Sequence, residues 1–174
     1  LDFGLAISSL HFNQEWRTAH VSGEPRYFMP ASWIVITYGT RQFESSPDRQ
    51  FQEHYVRRLD HFATGVLALE VFFGLWRGPC ASEDSWLAPA LAAWRAYWTH
   101  AIGLFQMFHA RGCEATRQHL KASQALPELQ ARLSTLCRDL LASAACAPSG
   151  GKAAPLLQAA AGLLEWRGAL PSWA

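Results

Sequence analysis

At 174 residues with a formal net charge of +1, the chain has the length of a single domain and no electrostatic signature for nucleic acid. Half of its residues are hydrophobic, which excludes a disordered chain, while its longest apolar run, residues 63–73, is too short to span a bilayer. Two features depart from an ordinary domain: charged residues make up 17% against a usual figure of roughly 25%, and there are eight tryptophans.

Residues 1–50 are rich in Ser, Thr, Pro and Gly and predict a long, partly irregular segment ending near Pro47. Within it, Ser32-Trp33-Ile34-Val35-Ile36-Thr37-Tyr38 is a short β-prone piece. The chain opens on Leu1-Asp2 with neither an initiator Met nor a targeting segment, and we read it as part of something larger. Residues 51–58 predict a short helix. Asp60 then stands as the N-terminal residue of a second helix over residues 60–73, apolar nearly all round and so expected to be buried in the middle of a domain. Gly74 and Gly78-Pro79 are its stop signals.

Nearly everything after Ser82 predicts helix. From Trp86 to His109, the residues Leu87, Leu91, Trp94, Trp98, Ile102, Phe105 and Phe108 recur at spacings of three and four, and Gly112 is the expected stop. A further helix from about Pro127 to Cys146 places Leu129, Leu133, Leu136, Leu140 and Leu141 on one face. A last one runs from Pro155 to Trp166. Cys80, Cys113, Cys137 and Cys146 form no Cys-x-x-Cys pair and read as reduced apolar thiols, which fits an intracellular, cytoplasmic setting. The seven histidines show no metal-ligand spacing.

Three short motifs appear in order along this frame. Leu1-Asp2-Phe3-Gly4-Leu5-Ala6 resembles the Asp-Phe-Gly motif of eukaryotic protein kinases. Gly39-Thr40-Arg41-Gln42-Phe43-Glu44-Ser45-Ser46-Pro47-Asp48 resembles the Gly-Thr-x-x-Tyr-x-Ala-Pro-Glu stretch that closes their activation segment, with one extra residue before the proline and Asp in place of Glu. Asp60-His61-Phe62-Ala63-Thr64-Gly65 is similar to the Asp-x-Trp-Ser-x-Gly opening of the family's buried central helix. The resemblance implies a mainly α fold: the helical C-terminal lobe of a Ser/Thr kinase-like domain. An irregular activation segment would occupy residues 1–48 and the helical lobe residues 49–174.

By that resemblance Asp2 would hold the Mg²⁺ that bridges the ATP phosphates, and Phe3 would pack inward. Thr40 would face the catalytic base and mark a Ser/Thr preference, Asp60 would accept backbone hydrogen bonds from the catalytic loop, and Gly4, Gly39, Pro47 and Gly65 would hold the motif backbones. Asp48 would pair with Lys152, which stands where the family has Arg. Ser8, Ser9, Thr18, Ser22, Ser32 and Thr37 are the candidate phosphorylation sites of the activation segment. The family's Gly-rich loop, ATP-anchoring Lys and His-Arg-Asp catalytic loop would all precede Leu1. The chain alone therefore has no catalytic residue and needs no ATP or Mg²⁺, which belong to an intact parent.

Two other readings stand beside the kinase. A pseudokinase lobe would serve as a scaffolding subunit in a larger assembly, and an unrelated all-helical module would bind protein partners. In either, Trp86, Trp94 and Trp98 are the candidate docking residues for a kinase N-lobe or another subunit. No nucleic acid and no membrane span are expected.

Overall fold

The computed structural model describes residues 23–75, 85–148 and 152–165. A 3-10 turn at Pro25–Tyr27 leads into six α-helices: α1 Pro30–Tyr38, α2 Thr40–Glu44, α3 Arg49–Leu75, α4 Ala88–Ala122, α5 Ala125–Ala145 and α6 Ala153–Leu164. No strand occurs among the described residues, so the mainly α class holds.

Residues 32–38, expected to be β-prone, form most of α1. Their β-branched side chains cost little helix propensity compared with what burial supplies, and tertiary context decides the conformation. Pro30 opens the helix, where its missing N–H is no loss, and it forces Met29 before it into extended backbone. Every residue from Pro30 to Thr37 is buried. This short helix, rather than residues 60–73, is the one enclosed on all sides. It contacts α3, α4 and α5 as well as α2.

Helix α3 corrects a second expectation. Residues 51–58 and 60–73 belong to one continuous helix, because Arg57-Arg58-Leu59 contains no residue that breaks one. Asp60 is therefore an exposed mid-helix residue, its carbonyl accepting a hydrogen bond from Thr64 Oγ1 at 2.7 Å, and not an N-terminal cap. The helix is amphipathic: Phe62, Val66 and Leu69 are buried, while Leu67, Val71 and Leu75 are 49%, 50% and 68% exposed.

Helix α5 follows the predicted periodicity, whereas the buried face of α4 runs through Ala90, Ala93, Trp94, Tyr97, Ala101 and Leu104 and leaves Leu91, Trp98, Ile102, Phe105 and Phe108 of the expected stripe only half-buried. Leu126, Leu129, Leu133, Leu136 and Leu140 of α5 are buried, although Leu141 turns outward. Chain neighbours pack in succession, α4 on α5 and α5 on α6, and α6 closes back onto α3. Gly112 does interrupt α4, at φ 77° and ψ 177°, but the chain resumes as helix to Ala122. That backbone region is essentially reserved for glycine. The second segment is tied back to the centre by Arg117, whose Nε donates to the Ile36 carbonyl at 3.0 Å.

Candidate functional site

The first motif, Asp2-Phe3-Gly4, and the candidate phosphorylation sites Ser8, Ser9, Thr18 and Ser22 lie outside the described residues. Ser32 and Thr37 lie inside and are 0% and 1% exposed. Thr37 Oγ1 donates to the Trp33 carbonyl at 2.6 Å, so its hydroxyl is used up within α1. A modifying enzyme cannot reach either hydroxyl in the folded chain.

The segment from Gly39 to Asp48 is a helical corner. Gly39, at φ 84° and ψ 163°, turns the chain from α1 into α2, and Thr40 is the first residue of that helix. Phe43 is fully buried, with its ring edge-on to Tyr55 at 5.0 Å. Gln52 Nε2 reaches the carbonyls of Phe43, Glu44 and Ser46 at 3.3, 2.9 and 3.0 Å and so caps the end of α2. Pro47 is exposed, and the Asp48 N–H donates to Ser46 Oγ at 3.3 Å. Lys152 stands exposed just before α6, and none of the ion pairs among the described residues joins it to Asp48. Ser45, Ser46 and Gln52 thus spend their side-chain hydrogen bonds on the backbone of this corner.

Gly65 has a clear structural reason. A Cβ there would lie 2.9 Å from Leu163 Cβ and 3.1 Å from Leu164 Cγ, so only glycine lets α3 and α6 approach this closely. Arg58 seals the same contact by donating to the Gly162 carbonyl.

Turn Pro25–Tyr27 is the element that sequence reasoning passed over. Tyr27 donates to Glu70 of α3 at 2.7 Å, and its ring lies 6.2 Å from Trp98 of α4. Burial first, and the Glu70 carboxylate second, raise its phenol pKa above the ordinary value. Arg26 lies over the rings of Tyr27 and Phe105 at 5.4 and 5.5 Å. Next to it Phe73, Trp94 and Trp98 form a ladder, with centroids 5.9 and 5.0 Å apart. Trp94 is only 5% exposed and belongs to the core, which removes it from the candidate docking residues; Trp86 and Trp98 are half-buried. The signal that would have found the turn was Gly23-Glu24-Pro25-Arg26-Tyr27, a breaker-rich string before an apolar run.

Two grooves flank α4. A smaller one, about 270 Å³, is lined by Glu70, Phe73, Trp94, Arg95 and Trp98. A larger one of about 570 Å³ runs between α4 and α5, with Leu104 and Met107 as apolar lining and Arg95, Thr99, His119 and Arg132 as polar groups. His100 also lines it, but its ring bonds the Ala125 carbonyl at 2.9 Å and faces Glu128 at 3.7 Å. Arg132 Nε is buried and lacks a hydrogen-bond partner. Among the described residues no group of three His, Cys, Asp or Glu gathers as a metal cluster. No helix among them is long and apolar enough to cross a membrane. Cys113 and Cys146 are exposed, whereas burial pushes the Cys137 thiol up to about 11, with Glu165 adding to the effect.

No protein-family model matches the chain, and no curated protein or solved structure is similar enough to count as a match. The functional reading therefore rests on the residues themselves.

Proposed function

We propose that this chain is the helical part of a Ser/Thr protein-kinase-like domain, one that works only within a larger protein. The reading is carried by the pairing of the turn before α1 with helix α3. Gly23-Glu24-Pro25-Arg26-Tyr27-Phe28-Met29-Pro30 has the Gly, Tyr and Pro of Gly-Thr-x-x-Tyr-x-Ala-Pro-Glu at the family's own spacing, with no extra residue. Its Tyr27 is bonded to Glu70 on the helix that also bears Asp60 and Gly65 of the Asp-x-Trp-Ser-x-Gly likeness. The closing stretch of the activation segment thus fits residues 23–30 better than 39–48, where the likeness needs an insertion and the chain is a helical corner. Glu24, Met29 and Ala31 replace the family's Thr, Ala and Glu, so the pairing expected of Lys152 has no acidic residue at this position.

In the intact parent, ATP with Mg²⁺ supplies the phosphoryl group, and Asp2 is the carboxylate that this reading assigns to the metal. The described residues hold the closing stretch against the helical bundle. The test uses the parent protein, wild type and Asp2→Asn, with labelled ATP and a generic Ser/Thr substrate. Transfer by the wild type, reduced about a hundredfold or more in the variant, supports the kinase. A parent that stays silent while Mg²⁺–ATP still raises its melting temperature supports the pseudokinase scaffold, which the replacements at Glu24, Met29 and Ala31 favour. Absence of both effects leaves the helical binding module.

A further inference from the structure

Helices α4 and α5 flank a groove whose two arginines have no acidic partner among the described residues, an observation that does not depend on the kinase reading. Arg95 and Arg132 both line it, and neither has an acidic partner among the described residues. The Nε of Arg132 is buried and unbonded. A guanidinium N–H taken out of water without an acceptor is costly, and unlike the enclosed Tyr97 hydroxyl this one belongs to a side chain that lines an open groove a ligand can enter. His119 and the hydroxyl of Thr99 line the same space. Glu128, 3.7 Å from His100, is not among the residues that line the groove, and Glu70 shares the smaller groove with Arg95.

We propose that this groove binds a peptide segment through a phosphorylated Ser or Thr. Two guanidiniums at one groove, Arg132 partly buried and Arg95 at the solvent side, suit about two negative charges, which one phosphate carries and one carboxylate does not. The planar donor forks of arginine match phosphate oxygens, and Thr99 offers a further donor. The space is about 570 Å³, several times what a free ion needs, and Leu104 and Met107 give the remainder an apolar surface for a neighbouring side chain of the peptide. The occupant is therefore a phosphate carried on a chain.

The test is fluorescence anisotropy on the full chain, using labelled degenerate peptides that fix phosphoserine between mixed apolar positions. Matched pools carry Ser or Glu at the fixed position, and inorganic phosphate serves as competitor. The phosphoserine pool should bind at least tenfold more tightly than the Ser pool and more tightly than the Glu pool. Arg95→Gln and Arg132→Gln should each weaken it at least tenfold. Arg95 is exposed, so its variant carries the test even where Arg132→Gln disturbs the fold as read by circular dichroism. Equal affinity for the phosphoserine and Ser pools overturns the proposal, as does unchanged affinity in Arg95→Gln. A Glu pool that binds as well as phosphoserine assigns the groove to plain acidic peptides and overturns the phosphate claim. Inorganic phosphate that binds as tightly as the peptide overturns the peptide claim.

Discussion

Gly65 and Tyr97 show how single residues report the packing. The close contact of α3 with α6 depends on a missing side chain, because an added methyl would meet Leu163 and Leu164 at 2.9–3.2 Å. Gly65→Ala should therefore destabilise the chain by about 1–3 kcal/mol despite its better helix propensity, as read from the urea midpoint. Tyr97 is the opposite case. Its ring is fully buried and its hydroxyl has no hydrogen-bond partner. Removing the hydroxyl removes an unpaid desolvation cost, so Tyr97→Phe should stabilise by up to about 1 kcal/mol in the same measurement. Neither effect can be read from the chain: Gly65, between Thr64 and Val66, looks like any helix glycine until α6 arrives beside it.

At the scale of elements, Gly112 decides the shape of α4. Its backbone lies where a Cβ is strained, so Gly112→Ala should cost about 1–3 kcal/mol although nothing lies within 4 Å of the added carbon. A thermal melt checks this, and a cost below the propensity gain of alanine would show that the two halves of α4 can straighten. The periodic leucines of α5 were legible in advance, since a stripe at three and four needs only one partner face, whereas the small residues Ala90, Ala93 and Ala101 that bring α4 onto its neighbours were not. Nor was the helix α1. Ile34, Val35, Ile36 and Thr37 favour strand locally, and only enclosure by α3, α4 and α5 turns them into helix. The join at Arg57-Arg58-Leu59 was missed for a related reason. Asp60 has the chemistry of a cap, but a cap acts only where a helix begins.

For the whole molecule, alkaline pH tests how firmly the bundle is closed. Burial pushes the phenol of Tyr55 up to about 12 and that of Tyr97 higher still, with desolvation as the leading cause in each. In the unfolded chain these phenols ionise near the ordinary tyrosine value of 10.0. A pKa raised by folding contributes stability that is complete below the unfolded value and is lost as pH rises through the folded one. Stability should thus hold up to about pH 10 and fall above it. The phenolate absorption of these two tyrosines should appear together with the loss of helix in circular dichroism. Phenolate absorption from all tyrosines well before unfolding would show that the core admits water at Tyr55 and Tyr97.

The sequence by itself determined the helical class and the buried face of α5, because side-chain periodicity is a local property of the chain. It also carried the motif likenesses from which the proposed function is argued. Tertiary structure alone decided that α1 is the enclosed helix, that Trp94 is spent in the core, and that Ser32 and Thr37 are out of reach. It alone brought Arg95 of α4 and Arg132 of α5 to one groove. Burial and the meeting of charges from separate helices depend on which surfaces face each other, and no window of sequence contains both sides of such a contact.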